Sequence, residues 1–183
     1  MRKTVLFTWI LGVMLMLPPM GFAETQGQKD GLFWIDVPEG WQWYEDSDSA
    51  TVMNPIGSRG IRIDFNVIEG INDDPAVMEL IEKTVAVKVY ELASRNGKTI
   101  LNVDRKIGGV FEVQRGFIIS TPDGMMQATA IVFFHNRHLF NIYFEAPREF
   151  QRVEMEAIAD TIEFEAPKPK EKEVEAVDQV NRR

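Results

Sequence analysis

The sequence predicts an α+β domain: a twisted, mainly antiparallel sheet with helices packed on both sides. Three observations lead there. Segments with two-residue apolar alternation follow one another across tight-turn signals, and sequential hairpins demand antiparallel pairing. Only two stretches carry helical periodicity, too few for a doubly wound parallel fold. The segment "MMQATAIVFF", Met125 to Phe134, is apolar at both alternating sets of positions, so both faces of the sheet must be covered there.

The chain opens with a leader. Arg2 and Lys3 give a positive start, Val5 to Leu17 is almost wholly apolar, and Pro18-Pro19 ends any helix. Gly21 and Ala23 are the small residues of a cleavage site, which predicts a signal peptide over 1–23, cut after Ala23. The rival reading is an uncleaved anchor, against which the apolar run falls short of the roughly 20 residues of a bilayer span. No stable membrane span is expected after cleavage. The leader carries two positive charges and no negative one, so a net charge of −8 becomes −10 on its removal. A net acidic, exported chain with no basic stripe argues against nucleic acid as partner. Zero cysteines exclude disulfides, thiolate metal sites and a cysteine nucleophile.

Residues 24–30, "ETQGQKD", are polar and short, and are expected to form a flexible lead-in. The domain is expected over 31–164. "LFWIDVP" from Leu32 and "SATVMNP" from Ser49 are its first two strands. In "GIRIDFNVIE", Ile61, Ile63, Phe65 and Val67 alternate with Arg62, Asp64 and Asn66, the pattern of a half-buried strand. Asp74 and Pro75 start a helix with Val77, Leu80, Ile81, Val85 and Leu92 on one stripe. Asn96-Gly97 ends it, with glycine expected in the left-handed conformation. Four strands follow: "TILNVDRKI", "VFEVQRGFIIS", "MMQATAIVFF" and "HLFNIYFEA". Their turns are Gly108-Gly109, Thr121-Pro122-Asp123-Gly124 and the His-Asn-Arg-His step. A second helix, Arg148 to Thr161, is expected to turn Phe150, Val153, Ala157 and Ile158 inward, and "IEF" closes the domain. The segment 165–183 has five acids, five bases and no large aromatic, which predicts a charged, disordered tail or tether.

The segment "FWIDVPEGW", Phe33 to Trp41, resembles the opening of the PsbP-like family, where an edge strand ends in Pro-x-Gly-Trp. The later order is also similar: a long helix, a glycine-bounded meander, then "FEAPREF" and "IADTIEF" as a final helix and closing Phe. The family includes the PsbP subunit of photosystem II, bacterial envelope proteins of the DcrB type and a Ran-binding eukaryotic relative. The resemblance implies an α-β-α sandwich and an accessory or docking role, and it carries over no catalytic residue. The absence of an anchor cysteine favours a soluble periplasmic or secreted protein.

Candidate sites are few. Trp34, Trp41, Trp43 and Tyr44 cluster early, as a ligand or partner platform or as aromatics packed under the first strand. Glu45, Asp46 and Asp48 lack the glycine and ligand count of a calcium loop. His135 and His138 are the only histidines. A two-residue hairpin centred on Asn136-Arg137 would make them cross-strand neighbours on one face, able to hold zinc or copper weakly or to form a solvated tip. No phosphate loop, dinucleotide fingerprint or nucleophile motif appears, and no cofactor is expected. The function expected is that of an exported, non-catalytic accessory protein that docks on or stabilises an envelope protein complex. The alternative is a small-ligand or metal-ion binding module of the periplasm.

Overall fold

The structure, a computed structural model, describes residues 22–56, 59–71, 74–107, 109–122 and 124–166. Of the leader, only Phe22 and Ala23 fall among these; the tail expected over 165–183 lies outside them beyond Ala166.

Among the described residues, nine strands and two helices follow in chain order: β1 Phe22–Gly27, β2 Trp34–Pro38, β3 Gln42–Glu45, β4 Ser49–Met53, β5 Gly60–Val67, α1 Asp74–Ser94, β6 Gly97–Ile107, β7 Val110–Thr121, β8 Gly124–His135, β9 His138–Ala146 and α2 Glu149–Ala159. Strands β3 to β9 form one antiparallel sheet in the order β3-β4-β5-β9-β8-β7-β6, and β1 and β2 form a separate pair. Among the described residues, no helix is long and apolar enough to cross a membrane.

Alternation divides the sheet into two unlike faces. On one, Ala128, Ala130, Val132, Val113, Phe117 and Ile119 meet Ile81, Val85 and Leu92 of α1. On the other, Ile61, Ile63, Phe65, Ile131, Phe133, Phe140, Ile142 and Phe144 meet β2 and Met155, Ile158 and Ala159 of α2. The double-sided apolar pattern of β8 therefore has the expected cause: α1 covers one side and α2 with the β1–β2 pair covers the other. Phe133 and Phe140 stack face to face, centroids 4.7 Å apart, and the Phe33 ring stands edge-on 5.8 Å from Phe140.

Several expectations are corrected. The lead-in over 24–30 is not loose: its first residues continue β1, paired with β2 from Phe22↔Pro38 to Gly27↔Trp34. Polar residues suffice because pairing needs only backbone groups. The lead-in's Gln28, 3% exposed, then fixes the turn by accepting hydrogen bonds from the Asp30 and Leu32 amides. A further strand, β3, occupies the aromatic stretch after Trp41 and pairs with β4. At the end of α1 it is Asn96, φ 59°, that takes the left-handed conformation. Gly97 is needed for a different reason, since a Cβ there would lie 2.5 Å from the Leu92 carbonyl oxygen. Helix α2 is rotated from its expected face. Met155, Ile158 and Ala159 are buried, while Phe150 and Val153 are 56% and 50% exposed. The reason is that Arg152 and Glu156 are held against polar side chains of β7 and β8, described below. The closing "IEF" joins β2 through a single bridge, Trp34↔Glu163.

Candidate functional site

The four early aromatics do not make one platform. Adjacent strand residues point to opposite faces, so Trp43 packs edge-on to Phe33, 6.2 Å away in the core, while Tyr44 stands 51% exposed on the other face. Trp34 lies over Gly27 and Gly31, where an added Cβ on Gly27 would meet its indole nitrogen at 2.6 Å. Trp41 lies under the guanidinium of Arg59, 5.8 Å from ring centroid to carbon.

The histidines do meet. His135 and His138 are register partners, and Asn136 and Arg137, with φ 46° and 64°, form the two-residue turn between them. Positive φ at both positions defines the turn that matches strand twist. The Arg137 carbonyl accepts from the Ile68 amide at 2.8 Å, so the chain leaving β5 holds the turn. The His135 ring lies 4.2 Å from that of Phe164, and a cavity of about 540 Å³ opens beside it, lined by His135, Asn136, Glu163, Phe164 and Glu165. Burial, and then the charge of His138, pull the His135 imidazole below its ordinary value. His138 donates from Nδ1 to the Asn136 carbonyl at 2.7 Å, which leaves Nε2 free. Among the described residues, no group of three or more His, Cys, Asp and Glu is placed to hold a metal ion.

Two arrangements were not anticipated. Under the flank of α2 runs a polar network. Arg152 donates to Gln127 at 3.0 Å and pairs with Glu156, which accepts from Gln114 at 2.8 Å. Beyond it, Arg105 bridges the carboxylates of Glu112 and Asp160. Glu112 is fully buried, its second oxygen has no partner, and burial pushes its carboxyl up against the opposing pull of Arg105. The second arrangement is a bare half-face. Helix α1 packs on β6, β7 and β8 and reaches Leu139 and Tyr143 of β9, leaving the same face of β5, β4 and β3 open. Across it Tyr44, Thr51, Arg62 and Tyr143 stand in register on four successive strands. At the foot of α1, Arg95 donates to both oxygens of Glu145, Tyr143 donates to the same carboxylate, and Lys88 lies 4.9 Å over the Tyr143 ring. Arg95 holds the Glu145 carboxyl below its ordinary value, whereas burial and the Glu145 bond push the Tyr143 hydroxyl well up. The signal was present in the sequence: Arg62 and Asp64 in β5, and Tyr143 and Glu145 in β9, are the polar positions of alternating strands.

The outward side of α1 is the third notable surface. Val87 and Tyr90, one turn apart, are 60% and 79% exposed on a helix whose opposite side is buried.

No protein-family model matches the chain, and no curated protein matches it in sequence. Solved structures do match in shape. Cyanobacterial PsbP (CyanoP) from Synechocystis superposes with a TM-score of 0.57 at 11% identity, over 79% of this chain and 95% of that one. A protein from Bacteroides thetaiotaomicron gives 0.55 at 16% identity over 81% of this chain, which spans only 50% of that longer one. The yeast Ran-binding protein Mog1p gives 0.50 at 8% identity, over 77% and 94%. With the sheet order and its two covering layers, these likenesses establish that the chain has the PsbP-like α-β-α fold.

Proposed function

We propose that the protein is an exported, non-catalytic accessory factor that docks on an envelope protein through the outward side of α1. The observation that carries this reading is the exposed pair Val87 and Tyr90. An outward helix face is normally polar, and apolar groups standing together there mark a surface that another protein covers. Tyrosine is also among the side chains that anchor interfaces. The leader, with its charged start, apolar run and small residues, supports export. The likeness to a Ran-binding protein supports a docking role for the fold. The shifted side chains support a non-catalytic reading, since Glu112, Glu145 and Tyr143 are each engaged by an internal partner.

The test is affinity capture from solubilised envelope with the wild-type protein and with Val87→Glu combined with Tyr90→Glu. The reading expects a protein retained by the wild type and lost with the variant, whose circular dichroism is unchanged. Equal retention by both, or none by either, overturns it.

A further inference from the structure

The bare half-face has a chemistry of its own, distinct from the outward side of α1. Its cavity of about 360 Å³ is lined by Thr51, Met53, Arg59, Arg62, Tyr143 and Glu145 among others, and falls within the range of small-ligand sites. Tyr44 extends it by one strand, opposite Thr51.

Three features restrict what fits. The first is charge. Arg62 is paired with Asp64 at 2.6 Å, Arg95 with Glu145, and Arg59 with Glu154. Every guanidinium at the site has its own carboxylate, so the surface offers an ion no net attraction. The second is the lack of an apolar floor. Met53 is the main aliphatic group among the outward residues of β3, β4 and β5, which argues against an amphipathic helix lying there. The third is unused hydrogen-bonding capacity. Arg62 gives only Nε to Asp64, and its two terminal nitrogens remain open, 57% of the side chain being exposed. The Thr51 hydroxyl, on the register position between Tyr44 and Arg62, makes no bond among the described residues.

We propose that this half-face binds a neutral, polyhydroxylated ligand, a glycan strand laid across β9, β5, β4 and β3. Sugar hydroxyls both donate and accept, which suits groups of both kinds: Arg62 and Thr51 as donors, Glu145 and Asp64 as acceptors. Internal ion pairs hold those groups in place before the ligand arrives, which lowers the cost of ordering them. The exposed ring of Tyr44 supplies a flat apolar surface for the C–H face of a sugar ring. Tyr143 cannot play that part with Lys88 over its ring, and serves to fix Glu145.

The test is calorimetric titration of the full chain with a neutral N-acetylglucosamine tetramer and with an acidic oligogalacturonate of equal length, at low and high salt. The proposal expects saturable binding of the neutral tetramer with affinity unchanged by salt, weakened at least fivefold by Tyr44→Ala and by Thr51→Val with Arg62→Met. Val87→Glu leaves it unaffected. No binding of the neutral tetramer, preferential salt-sensitive binding of the acidic one, or full affinity in the variants overturns it.

Discussion

The imidazole of His135 lies against the phenyl ring of Phe164, with centroids 4.2 Å apart and planes tilted by 33°. The contact ties the β8–β9 turn to the segment that follows α2. The folded state lowers the affinity of His135 for a proton, so the unfolded chain binds more protons in acid. The contribution is therefore fully present above the unfolded value of 6.5 and is lost as pH falls through the lower folded value. Urea unfolding from pH 8 to pH 5 should show stability falling below about pH 6.5. His135→Phe, which keeps an aromatic ring there, should flatten that part of the profile.

The same histidine pair makes a prediction about metals. Two imidazoles without a third protein ligand give a weak site. Zinc or copper titration by calorimetry should show affinity weaker than micromolar. Binding tighter than that, lost in His135→Ala with His138→Ala, would make the hairpin a metal site.

Glu112 depends on Arg105. Removing one partner of a buried ion pair leaves the other charge uncompensated, at a cost of about 3 kcal/mol. Arg105→Met should lower stability by about that amount in chemical denaturation. Adding Glu112→Met should recover most of it, because two apolar side chains of similar size leave nothing unpaired. Recovery of less than half would show that Arg105 acts mainly through Asp160.

Asn96 holds a left-handed backbone at the end of α1. Asn96→Gly should be neutral or slightly stabilising, and Asn96→Ala should cost about 1 kcal/mol, since a Cβ disfavours that conformation. Thermal melts of the two variants compare them directly. Equal melting temperatures would mean the turn relaxes.

Much of the fold was legible because it rests on local patterns. The alternation of Ile61, Ile63 and Phe65 places β5, Asp74-Pro75 marks the start of α1, and Asn136-Arg137 positions the hairpin. What escaped depends on partners distant in sequence. Strand β1 is ordered by β2, which no pattern within "ETQGQKD" reveals. The face of α2 misled at Phe150 and Val153, apolar but exposed, while Ile158 is buried as expected and Arg152 and Glu156 turn toward Gln127 and Gln114. Of the candidate site, the histidine pair was readable from its turn. Of the bare half-face only the polar positions of β5 and β9 were readable, because its extent is set by where α1 stops covering the sheet.

The seam between β5 and β9 bears on how the chain reaches this shape. Every other pairing in the large sheet joins strands that are consecutive in sequence, whereas at this seam Val67 faces His138, 71 positions further along. The sheet is thus two contiguous ribbons, β3-β4-β5 and β6-β7-β8-β9, each able to zip from its own turns. Joining them closes a long loop, an entropic cost met only once the facing residues are already shaped. Substitutions such as Phe65→Ala and Phe140→Ala, on facing sides of that junction, therefore bear on the rate of assembly as well as on the final stability.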